Sequence, residues 1–127
     1  MSRILRFEDL ECWQACRAVR KFVCLEVVPR LPVEERFRLC DQLLRSARST
    51  TANIAEGFGR RHYLDNAKFI RNSLGSLHEC LDHMITAADE KLVDVEVLKK
   101  FQELFETAVS LSNGYAAYLH RSAKSAD

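Results

Sequence analysis

Apolar residues recur at alternating steps of three and four over four long stretches of this chain, and almost nothing interrupts them. That spacing places the residues on one side of an α-helix, and sustained over five or more turns it describes the buried seam of a helical bundle. The 127 residues include only two prolines and four glycines, too few for a fold of many strands and turns. The chain is short enough for one domain with one core.

Four segments follow from the pattern. The first spans about residues 9–28, with Asp9 as its cap and Trp13, Cys16, Val19, Val23 and Val27 on one face. Pro29 and Pro32 close it. Pro32, Glu34 and Glu35 suit the entry of a second helix, about 33–58, with a seam of Phe37, Cys40, Leu44, Ala47, Thr51, Ile54 and Phe58. Gly57 and Gly59 weaken its end, and Arg60-Arg61-His62 makes a basic turn. The third segment, about 64–90, carries Ala67, Ile70, Leu74, Leu77, Leu81, Met84 and Ala88. Asp94 caps the fourth, about 94–121, and Ser122 to Asp127 are expected to fray.

The fourth segment bears two adjacent stripes: Leu98, Phe101, Phe105, Ala108, Tyr115 and Leu119 beside Val97, Leu104, Leu111 and Tyr118. Its apolar face is wider than one seam requires, which implies a second burial partner. The connections are short, so the fold class expected is all-α: an antiparallel up-down-up-down four-helix bundle occupying residues 1–127 as one domain.

Catalytic and metal chemistry find little support. Cys12 and Cys16 share a helical face, but small buried thiols are the ordinary use of unpaired cysteine, and five cysteines without a paired framework suit a reducing compartment. His78 and His83, five apart, diverge on a helix. The serines lack a glycine-flanked elbow, and Gly57-Phe58-Gly59 lacks the later glycine and preceding strand of a dinucleotide fingerprint. No catalytic residue, metal or cofactor is expected. With no membrane-length apolar run and a charged N-terminus, the chain is expected in the cytoplasm and away from membranes.

The overall charge of +1 conceals a division: residues 30–72 are basic and mostly arginine, whereas residues 73–127 are acidic. Arg38, Arg45, Arg48, Arg60, Arg61 and Arg71 are candidates for contacting nucleic-acid phosphates. Equally, they suit ion pairs with the acidic half of a neighbouring subunit. Asn53, Glu56 and Arg60 lie on one helical face, as a solvated ion-pair surface or as part of an interface. Gly75-Ser76 within the third helix suggests close approach of a neighbouring helix.

Phe7-Glu8-Asp9-Leu10 with Trp13-Gln14, Gln42-Leu43-Leu44-Arg45-Ser46-Ala47, Asn53-Ile54-Ala55-Glu56-Gly57 and Gly75-Ser76-Leu77 ahead of Glu79 follow one another in an order that resembles the bacterial four-helix-bundle family named after proteins encoded in 23S rRNA intervening sequences. The resemblance runs from about residue 5 to 119. Thr51 departs from it, standing where the family often has proline. The resemblance implies a homopentamer of bundles around a central opening. It also implies that Gln42, Arg45, Asn53, Glu56, Gly57, Arg60, Gly75, Ser76 and Glu79 determine bundle and interface rather than catalysis. A relative, the accessory protein of diversity-generating retroelements, is similar in fold and binds nucleic acid and a reverse transcriptase. The expected function is therefore a non-enzymatic, oligomeric accessory protein whose arginines bind RNA or DNA. The alternative is a protein-interaction scaffold whose arginines serve intersubunit ion pairs; its partners are itself and another protein.

Overall fold

The computed structural model describes residues 3–126 and contains four α-helices: α1 (Glu11–Phe22), α2 (Leu39–Arg60), α3 (Tyr63–Asp89) and α4 (Val95–Ala126). Among the described residues there is no strand, and the arrangement is that of a four-helix bundle. Each helix packs on two neighbours, in the cyclic order α1, α2, α3, α4. No helix is long and apolar enough to cross a membrane.

The start of α1 differs from expectation. Asp9 closes a preceding 3-10 turn, Phe7–Asp9, by accepting the N–H groups of Leu5 (3.1 Å) and Arg6 (3.0 Å), so α1 begins after Leu10 without a side-chain cap. At its other end α1 widens into a π-type turn, Val23–Val27, and then tightens through Val28–Arg30. Pro29 has no N–H to donate to the preceding turn, which accounts for the loss of regular geometry just before it.

Helix α2 begins six residues later than the spacing suggests. Val33–Glu35 form a 3-10 turn, Arg38 leaves helical geometry at φ −121° and ψ −101°, and only then does α2 start. Phe37, expected on the seam, consequently lies in the connection and is 83% exposed, with the Arg36 guanidinium 5.3 Å from its ring centre. Helix α2 runs through Gly57 and Gly59 and stops at Arg61, whose left-handed backbone (φ 56°) ends the hydrogen-bond ladder. Asp94 caps α4 as expected, its Oδ1 accepting the Val97 N–H at 3.2 Å. The tail expected to fray stays helical to Ala126, and Asp127 lies outside the described residues.

The core combines apolar residues from all four helices with one polar layer. Leu43, Ile54, Ile70, Leu77, Met84 and Phe101 are fully buried. So are Cys16, Thr50, Ser73 and Ser112, one from each helix. Ser73 Oγ donates to the Thr50 carbonyl at 2.8 Å and lies 3.9 Å from Cys16 Sγ, whereas Ser112 Oγ has no partner among the described residues. On α3 the deepest line is Ile70, Ser73, Leu77, Cys80, Met84 and Ala87; Leu74, Leu81 and Ala88 of the expected stripe sit half-buried at its edge. On α4, Leu104 and Leu111 are half-buried and Tyr118 is exposed, so the wide apolar face is only partly covered within one chain.

Helices α2 and α3 approach closely at Gly57. A Cβ at that position would lie 2.7 Å from Phe69 Cβ and 2.8 Å from Asn66 Oδ1. Gly75, expected to mark such an approach, is exposed and has open space where a Cβ would stand. Its neighbour Ser76 makes the interhelical contact instead, 2.8 Å from Ser49 Oγ.

Candidate nucleic-acid interface

The six candidate arginines do not form one patch. Arg38 precedes α2 and Arg61 follows it, so they are separated by the helix length of about 33 Å. Arg60 pairs with Glu56 at 2.9 Å and lies 5.0 Å from the centre of the Phe69 ring. Arg45 lies 3.9 Å from Asp41. Arg71, on α3, reaches across to α4, with Nη1 3.1 Å from His120 Nε2. Both carboxylate pairs are exposed i,i+4 contacts, worth about 0.3–0.5 kcal/mol, and would yield easily to a phosphate.

Arg48 has a different setting. It lines a shallow depression between α1 and α2 with Phe7, Trp13, Arg20, Thr51, Ala52 and Ala55, and no carboxylate is among these residues. Arg20 is held in place because its Nη1 donates to Thr51 Oγ1 at 2.8 Å. One turn earlier on α1, the Arg17 guanidinium lies 5.8 Å from the centre of the Trp13 ring, and Trp13 meets Phe7 edge-on at 5.3 Å. Arg20 and Arg48 thus share the depression, with Arg17 about one turn from Arg20 on α1 and Arg45 about one turn from Arg48 on α2. The small side chains Ala52 and Ala55 leave the depression open between them.

Arg17 and Arg20 were missed by the sequence reading. Trp13, Arg17 and Arg20 do share one helical face, a signal present in the spacing. What the spacing lacked was the packing register of α1 on α2, which brings Arg20 to Thr51 and so to Arg48.

The motif residues divide into two groups. Asn53 Nδ2 donates to the Ser49 carbonyl (2.8 Å) and Oγ (2.9 Å), and Ser49 meets Ser76, so Asn53, Ser76 and Gly57 tie α2 to α3. Gln42, Arg45, Glu56, Arg60, Gly75 and Glu79 are exposed; Glu79 lies 3.3 Å from His83. Asn53 therefore bonds along α2 and not to Glu56 or Arg60.

The buried thiols are held neutral. Burial pushes Cys12 and Cys80 up to about 12, with Cys16 nearby adding to the effect at Cys12. Burial also raises Cys16, against the opposing hydrogen bond from Ser73. Cys24 alone among the five is exposed. Among the described residues no group of three or more His, Cys, Asp or Glu side chains is arranged to hold a metal ion.

Comparison with known families finds that the model described as 23S rRNA-intervening sequence protein matches residues 8–114. No curated protein matches the chain.

Proposed function

Since the chain belongs to the 23S rRNA-intervening sequence protein family, we propose that it is a non-enzymatic nucleic-acid-binding accessory protein that grips the phosphate backbone along the α1–α2 side. The observation that carries this reading is the carboxylate-free depression holding Arg48 and Arg20, with Arg17 beside it. Guanidinium groups already fixed by Thr51 and Trp13 lose less freedom on meeting a phosphate than mobile ones do. Shape and charge, with no base-edge reader, give binding of low sequence preference.

The pairing of Ser49 with Ser76 and of Gly57 with Asn66 and Phe69 supports the antiparallel up-down order of α2 and α3. The partly covered face of α4 supports assembly with further copies, and the family resemblance makes the proposed number five, in the cytoplasm. Repetition of the ridge would multiply a modest affinity by avidity.

Fluorescence anisotropy with a short RNA and a short duplex DNA tests the proposal. If each subunit's ridge neutralises four phosphates, duplex affinity should fall about a hundredfold between about 50 and about 200 mM salt. Replacing Arg20 and Arg48 together by alanine should reduce the slope of log K against log salt by about 2. A stable oligomer indifferent to both nucleic acids at low salt would overturn the proposal in favour of the scaffold whose arginines serve intersubunit ion pairs. Light scattering of the same variant separates a loss of assembly from a loss of binding.

A further inference from the structure

At the end of the bundle where α2 passes into α3, the N-terminal segment, that turn and the last part of α4 enclose a groove of about 1000 Å3, away from the Arg20–Arg48 ridge. Tyr115 and Tyr118 line it from α4 as a stacked pair, ring centres 6.0 Å apart and planes within 16°, and Tyr118 is half exposed. Tyr63 lines it from the start of α3. Arg3 and Arg61 also line it, and neither is in an ion pair among the described residues. Its two carboxylates, Asp9 and Glu11, match the two guanidinium groups in number, but neither is in an ion pair with Arg3 or Arg61, and Asp9 Oδ2 is engaged by the Leu5 and Arg6 N–H groups. Arg61 adopts the left-handed backbone that glycine takes freely and that disfavours every residue with a Cβ. Lys91, just past the end of α3, has the same backbone, so this is a helix-ending conformation, and at Arg61 it sets a cation at the groove.

We infer that this groove holds a nucleotide, its base against the Tyr115–Tyr118 pair and its phosphate between Arg3 and Arg61. Aromatic faces take any base by stacking, and paired guanidinium groups take phosphate by charge-assisted hydrogen bonds. The inference rests on the nucleic-acid reading above and gives the protein a discrete end site in addition to the ridge. The ligand is either a free nucleotide or one nucleotide of a single strand.

Isothermal titration of the full chain with adenosine 5′-monophosphate, with a 5′-phosphorylated adenosine trinucleotide and with inorganic phosphate tests it. Arg61→Gly removes the guanidinium while easing the backbone, so this variant should unfold at or above the wild-type midpoint and bind at least tenfold more weakly. Tyr118→Leu should weaken binding severalfold. Mononucleotide binding lost in Arg61→Gly supports the site with a free nucleotide sufficing; binding of the trinucleotide alone, lost in the same variant, supports it with a strand as the source. Wild-type affinity in Arg61→Gly, inorganic phosphate binding as tightly as the nucleotide, or no binding in any arm overturns it. The Arg20→Ala, Arg48→Ala protein keeps the groove intact. Failure of the end site with a ridge-dependent salt slope retained therefore tells against this inference alone.

Discussion

Alanine at position 57 should destabilise the protein, whereas alanine at position 59 or 75 should stabilise it. All three glycines lie in helices, so each substitution gains helix propensity, about 0.5–1 kcal/mol in a helix interior and less at Gly59, one residue from the end of α2. At Gly59 and Gly75 the added methyl meets nothing within 4 Å, and that gain stands alone. At Gly57 it would sit 2.7 Å from Phe69 Cβ and 3.2 Å from the Asn66 carbonyl oxygen, atoms close to the α3 backbone that cannot swing aside. The helices must separate, which also disturbs the Ser49–Ser76 contact at 2.8 Å. Overpacking of this kind costs about 1–3 kcal/mol, and an atom this close belongs near the upper end, leaving a net loss of about 2 kcal/mol. For a chain of this size the loss lowers the unfolding midpoint by roughly 6–10 °C. Thermal and urea unfolding of the three variants side by side provide the check; a Gly57→Ala protein as stable as Gly59→Ala would mean that α2 and α3 do not meet at this position.

Stability should fall steeply in alkali, and the buried thiols should account for a measurable part of the slope. Cys12 and Cys80 begin from an ordinary value of 9.0 and are pushed up to about 12 by burial. Above about pH 9 the unfolded chain releases these protons while the folded chain retains them. The unfolded state then binds fewer protons, so rising pH favours unfolding, by up to about 1.4 kcal/mol per pH unit for each thiol. The contribution is fully present below pH 9 and is lost progressively towards the folded value. Between pH 9 and 11 the pair alone would remove several kcal/mol, a large share of the 5–15 kcal/mol typical of a folded domain. Denaturant midpoints measured at pH 8, 9 and 10 should therefore decline, and a Cys12→Ala, Cys80→Ala protein should decline less steeply, even though the lost side chains lower its stability at every pH. An identical slope in the double variant would place the alkaline sensitivity elsewhere, as at Tyr115, whose hydroxyl is also pushed up by burial.

The spacing of apolar residues located four helices because burial repeats every three or four residues whatever the neighbours are. It misplaced Phe37 because a period continues past the place where a helix starts, and the geometry of Arg38 decides that start. It did not reveal that Ser73 and Ser112 are as deeply buried as Leu77, because a count of apolar positions passes over hydroxyls. A serine can be buried on a helix when its hydroxyl reaches a carbonyl, as Ser73 reaches that of Thr50. For the candidate interface, Arg48 was legible as a candidate phosphate contact, but its value depends on Arg17 and Arg20, which lie far from it in the chain.

By itself the sequence determined the all-α class, the four helical segments, the cap at Asp94 and the family, all of which depend on local composition and on order along the chain. Only the tertiary structure decided that Gly57 rather than Gly75 brings two helices together, that Arg20 joins Arg48 across α1 and α2, and that Arg61 shares a groove with Arg3 and Tyr118. Each of these depends on the register between segments distant in sequence. Register is set by how side chains of unequal size interlock along the whole length of two helices, and a periodic pattern carries no record of that fit.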